Sequence, residues 1–330
     1  MTGETGVEGR LPLISVIMCV YNETNDMIMD AVQSVINQTY ENWELILVCD
    51  RPDDFELHSF LKSLQSENIR VYCNEKNMGA ALSRNFGVEK SQGEFIAVLD
   101  ADDICEPERL MHEMKYLREG DYDIVCAGRS FINEKGEAIE KEDEVNKEQE
   151  LLQNLLYKNY ITHSTVLMKK AVFTRFGGYK CACAEDYGLW LRVYKAGGKI
   201  GYLSEKLVKY RIRENSLSAR QACLQALNSV YFRRLYKKSK SPEDFSEEAY
   251  SRFCFRYHIE NEKVIQRYER SVQDRRKFGE YLKKKKYLSA VKAYICAVCG
   301  SKIYRLNIYN SIEYKMKKII WKNAGKGILC

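Results

Sequence analysis

Short apolar runs alternate with helical segments over the first third of the chain, and this alternation restricts the possible folds strongly. Four runs rich in β-branched residues predict strands: "LISVIMCV" (13–20), "WELILVC" (43–49), "IRVYC" (69–73) and "EFIAVL" (94–99). The segments between them have apolar residues at helical spacing and predict helices over 24–38, 56–66 and 79–91. Strands and helices in this order are typical of an α/β protein with a doubly wound, mainly parallel sheet.

The pattern changes after about residue 105. We predict a helix from Pro107 to about 118, a strand over 123–132 and then a charged, turn-like excursion. Further elements are predicted over 148–158 (helix), 163–168 (strand), 185–197 (helix) and 206–212 (strand). From 216 to 322 the sequence predicts helices rich in Lys, Arg and Tyr. These features divide the chain into an α/β domain over 1–218 and a helical region over 219–330.

Composition excludes several kinds of protein. The net charge of +6 is modest for 330 residues and does not indicate a nucleic-acid partner. The 12 cysteines are scattered through apolar segments, which predicts buried, reduced thiols, and no second close pair completes a zinc site. The start "MTGETGVEGRLPL" has no signal-peptide pattern, and no apolar run approaches the ~18 residues of a spanning helix. We therefore expect a cytoplasmic protein.

Three carboxylates follow the strand at 94–99 directly: Asp100, Asp102 and Asp103. Packing gives no reason for so much negative charge there, although a helix-capping role before Pro107 is an alternative. In a doubly wound sheet, ligands bind outside the carboxyl ends of the strands. Two aspartates one residue apart can serve a ribose hydroxyl and a hard divalent cation, and such a cation commonly shares its site with substrate phosphates. The cation lowers the barrier to departure of a diphosphate.

Four segments together resemble the family 2 glycosyltransferases of the GT-A fold, including bacterial enzymes of polysaccharide synthesis. They are "LISVIMCVYNE", "SVINQTYENWELILVCDRPDD", "NEKNMGAALSRNFGVEKSQGEFIAVLDADD" and "FGGYKCACAEDYGLWLRV". A lone D-x-D is a weak signal, but this ordered set is specific. The resemblance covers roughly residues 11–218, and implies a nucleotide-sugar half (about 11–105), an acceptor half (about 106–218) and a helical C-terminal extension.

The resemblance implies donor-binding roles for these residues: Val20, Tyr21, Glu23, Asp50, Asn77, Gly79, Arg84, Asp100 and Asp102. Asp50 would accept a hydrogen bond from the imide N–H of uracil. Asp100 would face the ribose, and Asp102 would hold Mn²⁺ or Mg²⁺. From the residues alone, an ordinary turn residue is the alternative role for Asp50, and a helix-surface salt bridge is the alternative for Arg84.

The resemblance places the acceptor at the helix that begins with Glu185 and Asp186. Asp186 would be the general base, taking a proton from the acceptor hydroxyl in an inverting transfer. A position at the start of a helix favours its negative charge, and helix capping is the alternative role. His163 and Trp190 are assigned to the acceptor side. The alternatives are a satisfied polar residue for His163 and a core residue for Trp190.

Two positions depart from the family pattern. The family often has a second acid at the end of the second strand, where this chain has Cys49, and we expect that thiol to face the core. The family also often has a histidine in the segment "YRIRENSLS", where this chain has Arg213. An arginine can hold a diphosphate by charge-assisted hydrogen bonds, but it cannot ligate a metal. A solvated charge is the alternative role.

The sequence thus predicts a metal-dependent inverting glycosyltransferase that moves a sugar from a nucleotide-sugar donor to a glycan hydroxyl in cell-surface polysaccharide synthesis. We expect the donor to be a UDP-sugar. The alternative is a catalytically idle nucleotide-sugar-binding or scaffold protein that acts through its basic helical tail. No G-x-G-x-x-G follows the first strand, which argues against a dehydrogenase. Residues 314–330 form a basic amphipathic pattern that predicts either contact with the inner face of the plasma membrane or a docked helix with a solvated lysine face.

Overall fold

The computed structural model describes residues 11–141, 154–180, 183–213, 221–238 and 245–309, together with residues 152 and 216. The chain forms two compact units that interleave along the sequence. The sheet unit comprises 1–151, 161–182 and 197–213, and the helical unit comprises 152–160, 183–196 and 214–330. The division of the sequence at residue 218 stays a prediction. The helix predicted over 148–158 lies largely outside the described residues, and the pattern over 314–330 lies wholly outside them.

The sheet unit is built on a single mixed sheet, which has nine strands within the described residues. In chain order they are β1 (Ile14–Val20), β2 (Trp43–Cys49), β3 (Ile69–Cys73), β4 (Phe95–Val98), β5 (Ile104–Cys105), β6 (Ile124–Ile132), β7 (Ala138–Ile139), β8 (Val166–Lys169) and β9 (Ile200–Arg211). The spatial order is β3-β2-β1-β4-β8-β6-β9-β5, and β7 pairs with β6.

One half of the sheet is parallel, as the alternating pattern predicts. Strand β1 pairs in parallel with β2 and β4, and β2 pairs in parallel with β3. In the other half, β8 is antiparallel to both β4 and β6, while β6 and β9 are parallel. Strands β1 and β2 are almost completely buried, which explains why they read as continuous apolar runs instead of alternating ones.

The helices of the sheet unit are α1 (Asn25–Ile36), α2 (Phe55–Ser63), α3 (Ala80–Lys90), α4 (Arg109–Glu119) and α5 (Lys170–Arg175). Local sequence fixes where the first two begin. Thr24 caps α1 by accepting a hydrogen bond from the Met27 N–H at 3.3 Å, and Asp54 caps α2 through the Leu57 N–H at 2.9 Å. Helices α1 and α2 bury Ile28, Val32, Leu57 and Leu61 in the same core as β1 and β2.

The helical unit contains α6 (Glu185–Lys195), α7 (Ala222–Lys238), α8 (Glu247–Tyr257), α9 (Glu262–Lys283) and α10 (Tyr287–Gly300). Helices α6 and α7 pack closely at Gly188, where a Cβ atom would lie 2.6 Å from the Phe232 ring. The Tyr187 hydroxyl donates to the Leu155 carbonyl at 2.6 Å, so it ties α6 to the preceding segment.

Two element predictions need correction. The strand predicted over 206–212 begins at Ile200, because pairing with β6 extends β9 by six residues beyond its most apolar part. The strand predicted over 163–168 is a 3₁₀ turn over His163–Thr165 followed by β8. In that turn the Thr165 N–H donates to the Thr162 carbonyl, a local contact that strand-like composition does not reveal.

Candidate active site

The parallel strands of the sheet unit bring the loops that follow them to one edge. Val20 at the end of β1 pairs with Cys49 at the end of β2, and the Asp50 N–H donates to the Val20 carbonyl at 2.9 Å. β4 lies on the other side of β1. The segments that follow these strands, which begin at Tyr21, Asp50 and Leu99, therefore share an edge, as the sequence predicts.

Asp50 holds the loop before α3. Its side chain is buried, and Oδ1 accepts hydrogen bonds from Asn74 Nδ2 at 2.7 Å and from the Met78 N–H at 2.8 Å. Oδ2 accepts from the Gly79 N–H at 2.7 Å. Gly79 has φ +81 and no atom within 4 Å of its Cβ position, so its backbone conformation, and not lack of space, favours glycine there. A carboxylate has about four acceptor sites, and three are used here.

A cavity of about 680 Å³ opens beside Asp50. Its lining includes Tyr21, Asn77 and residues 50–56. Tyr21 and Asn77 are exposed. The volume is in the range of small-molecule sites, and an exposed tyrosine ring offers a flat apolar face for a planar ligand. The structure thus gathers Tyr21, Asp50 and Asn77 from three separate predicted segments.

A second group joins the loops after β1 and β4 through Arg213. Its NH2 group donates to Glu23 Oε1 at 2.9 Å, and its Nε lies 2.6 Å from Asp102 Oδ2. Oε2 of Glu23 accepts from the Tyr21 N–H at 2.7 Å and so closes a tight turn. Burial, together with the negative charge of Asp100, raises the pKa of Asp102 to about 6, against the opposing effect of Arg213. Arg213 is therefore a paired charge, not a solvated one.

Asp100 pairs with Arg84, whose NH2 group lies 2.7 Å from Asp100 Oδ1. Arg84 is buried, so the pair is not a helix-surface salt bridge. The Asp100 N–H donates to Ser164 Oγ at 3.3 Å. Burial opposes ionisation of Asp100, but the positive charge and hydrogen bond of Arg84, together with the hydrogen bond to Ser164, outweigh it and hold the pKa of Asp100 below its ordinary value. Arg84 and Asp100 are thus brought together at the edge where both were predicted.

The third acid of the segment is structural. Asp103 is 1% exposed, and its Oδ1 accepts from the Arg211 N–H at 2.8 Å. The Arg211 side chain donates from Nε to the Asp102 carbonyl at 2.7 Å and from NH2 to Asp30 Oδ2 at 3.1 Å. Burial and the nearby charge of Asp102 raise the pKa of Asp103 well above its ordinary value. Together Asp103 and Arg211 attach the end of β9 to the loop after β4.

His163 is a satisfied polar residue. Its Nε2 lies 2.6 Å from the Tyr179 hydroxyl, and burial lowers its pKa to about 3, so the ring is neutral. Tyr179 is in turn held by Asn85, whose Nδ2 donates to the Tyr179 carbonyl at 3.0 Å and whose Oδ1 accepts from the Tyr179 N–H at 2.9 Å. The contact matches the alternative given for His163, and its acceptor-side role stays a prediction.

The predicted base lies in the helical unit, at the second residue of α6. Asp186 Oδ2 accepts from Asn159 Nδ2 at 2.7 Å, and the first turn of a helix favours its negative charge. The preceding residues Cys183 and Ala184 have φ +64 and +55, a conformation that non-glycine residues rarely adopt. Such strain is often found at functional sites. Glu185 is buried beside Asp186.

The acceptor-side assignment of Trp190 is wrong. Trp190 is 0% exposed, so its indole ring packs in the core and a sugar cannot stack on it. The sequence does not distinguish the two roles, because an aromatic residue at helical spacing can pack in a core or stack on a sugar equally well. The expectation for Cys49 is confirmed, since the thiol is fully buried and burial raises its pKa to about 11.

The edge carboxylates fit a hard divalent cation. Glu23, Asp100 and Asp102 provide three negative charges against the two guanidinium groups of Arg84 and Arg213, so the cluster retains a net negative charge. Oxygen ligands of this kind are those that Mg²⁺ and Mn²⁺ prefer. Among the described residues, Asp102 forms its ion pair with Arg213 through Oδ2 and forms none through Oδ1.

Three residues that contribute to the site were not predicted. Asn74 orients Asp50, Arg211 attaches β9, and Asn159 bonds to Asp186. Asn74 directly follows the third strand, as Asp50 follows the second, so its position at a strand end could have indicated it. The other two lie far in sequence from their partners, and nothing local marks them.

The comparisons with known proteins agree with this geometry. The sequence matches the model of the family described as Glycosyl transferase family 2 over residues 15–177. It is 34% identical over 234 residues to the O-antigen biosynthesis glycosyltransferase WbnJ of Escherichia coli, covering 69% of this chain and 91% of that protein.

The chain is a family 2 glycosyltransferase.

A second relative of this glycosyltransferase has a more specific name. The chain is 31% identical over 217 residues to the E. coli UDP-Glc:alpha-D-GlcNAc-diphosphoundecaprenol beta-1,3-glucosyltransferase WfgD, covering 63% of the chain and 80% of the relative. The crystal structure of S. aureus TarS in complex with UDP matches with a TM-score of 0.54 and 18% identity, over 76% of this chain and 72% of that one. That likeness confirms the fold class predicted for the glycosyltransferase.

None of the described helices of the glycosyltransferase combines the length and the apolar character needed to cross a membrane.

Proposed function

We propose that this glycosyltransferase moves a sugar from a UDP-sugar, with inversion, to a hydroxyl of a lipid-diphosphate-linked glycan in the synthesis of a cell-surface polysaccharide. The observation that carries the proposal is the sheet edge, which carries both the small-molecule cavity at Asp50 and the acidic and basic groups at Asp100, Asp102 and Arg213. The names of WfgD and TarS, one a UDP-Glc transferase and the other bound to UDP, support the choice of nucleotide.

In this proposal the cavity receives the nucleoside. The exposed ring of Tyr21 stacks on the base, and Asp50 uses its fourth acceptor site for the imide N–H. Asp100 faces the ribose while Arg84 keeps it ionised. Arg213 leaves its ion pair with Asp102 and donates to the diphosphate, since arginine matches phosphate oxygens with two parallel hydrogen bonds.

Asp102 would hold Mg²⁺ or Mn²⁺, and that ion, when bound, supplies positive charge to the leaving diphosphate. Asp186 takes the proton from the acceptor hydroxyl as the new bond forms at the anomeric carbon and the bond to the diphosphate breaks. The Asn159 amide holds one oxygen of Asp186, and the helix start keeps the carboxylate charged until the proton arrives.

The variant Asp186→Asn tests the base. It keeps the size and the helix position but cannot accept the proton, so transfer should fall by about 10²–10⁴-fold while UDP binding stays unchanged. The matched control is Asp26→Asn, because Asp26 is likewise the second residue of a helix, α1, and is exposed. UDP release would be followed with a panel of UDP-sugars and a polyprenyl-diphosphate-linked sugar, with and without Mn²⁺, and UDP binding by thermal shift.

Full transfer by Asp186→Asn would place the base elsewhere. Binding of UDP without transfer by the wild-type chain, across the whole donor panel, would favour the nucleotide-sugar-binding alternative. A thermal shift with UDP that does not depend on Mn²⁺ would contradict the metal role given to Asp102.

A further inference from the structure

Helix α10 buries its small residues and exposes its large ones. Ala290, Ala293 and Ala297 are at most 7% exposed, whereas the exposed fractions of its large apolar residues are much higher: Tyr287 65%, Leu288 90%, Val291 56% and Ile295 54%. Burial of alanine in place of leucine is the reverse of what the hydrophobic effect favours in water. At 3.6 residues per turn the four exposed residues lie within an arc of about 100°, so they form one stripe.

The orientation of α10 is fixed by its partner. Helices α9 and α10 form an antiparallel hairpin, and the turn between them includes Lys285 with φ +55. Phe278 of α9 packs against Tyr294 of α10, with ring centroids 5.3 Å apart. The alanine side of α10 is therefore the side that the hairpin buries, and the apolar stripe remains outside.

Basic charge is concentrated on the same hairpin and on the short segment that follows it, up to Tyr309. Residues 262–309 carry 13 Lys and Arg against 4 Asp and Glu, a net charge of +9. Since the whole chain has a net charge of +6, the rest of it is at −3. Lys283 to Lys286 are all exposed and directly precede the stripe, and Lys292 is exposed on α10 itself.

We propose that this stripe and the adjacent lysines bind an anionic lipid bilayer, with α10 lying in the headgroup plane. An apolar helix face beside clustered lysines is the combination that binds such surfaces: the apolar side chains enter the acyl boundary, and the lysines meet the phosphates. A second copy of the chain is a poorer occupant, because it would bring together two copies of the segment 262–309, each with a net charge of +9. The surface deepens the proposed function, since it would hold the enzyme where a lipid-linked acceptor is found.

The test is cosedimentation of the full chain with vesicles of phosphatidylcholine alone or mixed with phosphatidylglycerol. The variant Leu288→Gln/Val291→Gln/Ile295→Gln should weaken binding to the mixed vesicles by roughly tenfold or more, because each side chain loses its apolar burial. The matched control is Met29→Gln/Ile36→Gln/Leu82→Gln, which removes three exposed apolar side chains of the sheet unit and should bind like the wild type.

Changing Lys283, Lys284, Lys285 and Lys286 to Gln should abolish the preference for phosphatidylglycerol and the sensitivity of binding to salt. Circular dichroism would check that each variant is folded. Equal binding of the wild type and the stripe variant would overturn the proposal. The proposal would also be overturned if the stripe variant bound the vesicles fully and binding was lost only when residues 310–330 were deleted.

A change from dimer to monomer in the stripe variant without lipid, measured by light scattering, would assign the surface to a second copy instead. Vesicle binding does not require transfer. A chain that binds vesicles but transfers no sugar therefore contradicts the proposed function and leaves the lipid surface standing.

Discussion

Replacing Asp50 by Asn should release the loop that carries Asn77. The Asp50 carboxylate is 3% exposed and accepts three hydrogen bonds, from Asn74 Nδ2 and from the N–H groups of Met78 and Gly79, at 2.7–2.8 Å. An asparagine has one acceptor oxygen, and its NH₂ group would face a donor. At least one buried or partly buried donor therefore loses its partner.

The magnitude follows from these contacts. An unsatisfied buried donor costs about 1–3 kcal/mol, and the hydrogen bonds that remain lose the strength that the charge gave them, about 1 kcal/mol more. The sum is about 2–4 kcal/mol, which corresponds to roughly 30–1000-fold in the opening equilibrium of the loop. Asp53→Asn removes the same charge from an exposed residue of the same cavity and should change stability by no more than about 0.5 kcal/mol.

Hydrogen–deuterium exchange of peptides that cover residues 74–80 measures the loop directly. It does not require the two units to unfold together. The Met78 and Gly79 amides should lose protection in Asp50→Asn and keep it in Asp53→Asn, and UDP binding should weaken in the same order. Unchanged protection of both amides in Asp50→Asn would show that the carboxylate does not hold the loop, and would refute the reasoning.

Two further predictions concern packing and pH. Gly188→Ala places a methyl group against the buried Phe232 ring and should lower the free energy of unfolding by about 1–3 kcal/mol, whereas Gly279→Ala, with no atom near its Cβ position, should raise it by about 0.5–1 kcal/mol. Thermal unfolding of both variants measures these changes, and equal shifts of the two unfolding midpoints would contradict the packing at Gly188. Because Arg84 holds the pKa of Asp100 below its ordinary value of 3.8, Asp100 stabilises the fold above that pH and the stabilisation is lost as the pH falls below it. The thermal unfolding midpoint of Asp100→Asn should therefore fall less between pH 5 and 3 than that of the wild type. If the two midpoints fell equally with pH, a lowered pKa of Asp100 would be contradicted.

The parallel half of the sheet could be read from the sequence because its signals are local. The observed bounds of β2 and β3 equal the predicted ones, since a buried strand is a continuous apolar run ended by polar residues. The order of the strands in the other half was not predictable. β8 lies between β4 and β6, and that pairing joins Ile96 to Met168 across 72 residues.

The candidate site shows the same limit. Asp50, Asp100 and Asp102 could be singled out because the packing of the apolar strands before them gives no reason for carboxylates at those positions. The charge that Arg213 presents could be read from the sequence, but its two partners could not. The ion pairs that it forms depend on where β9 ends, and long-range pairing sets that end.

The late position of Arg211 and Arg213 in the sequence has a consequence for biosynthesis. On the ribosome, Glu23 and Asp102 are made well before the guanidinium group that pairs with both of them. Until residue 213 emerges, these carboxylates repel each other at the mouth of a nascent sheet. A chain halted before that point should form the parallel strands yet bind UDP more weakly than the full chain, because the donor site of the proposed function would lack the arginine given to the diphosphate.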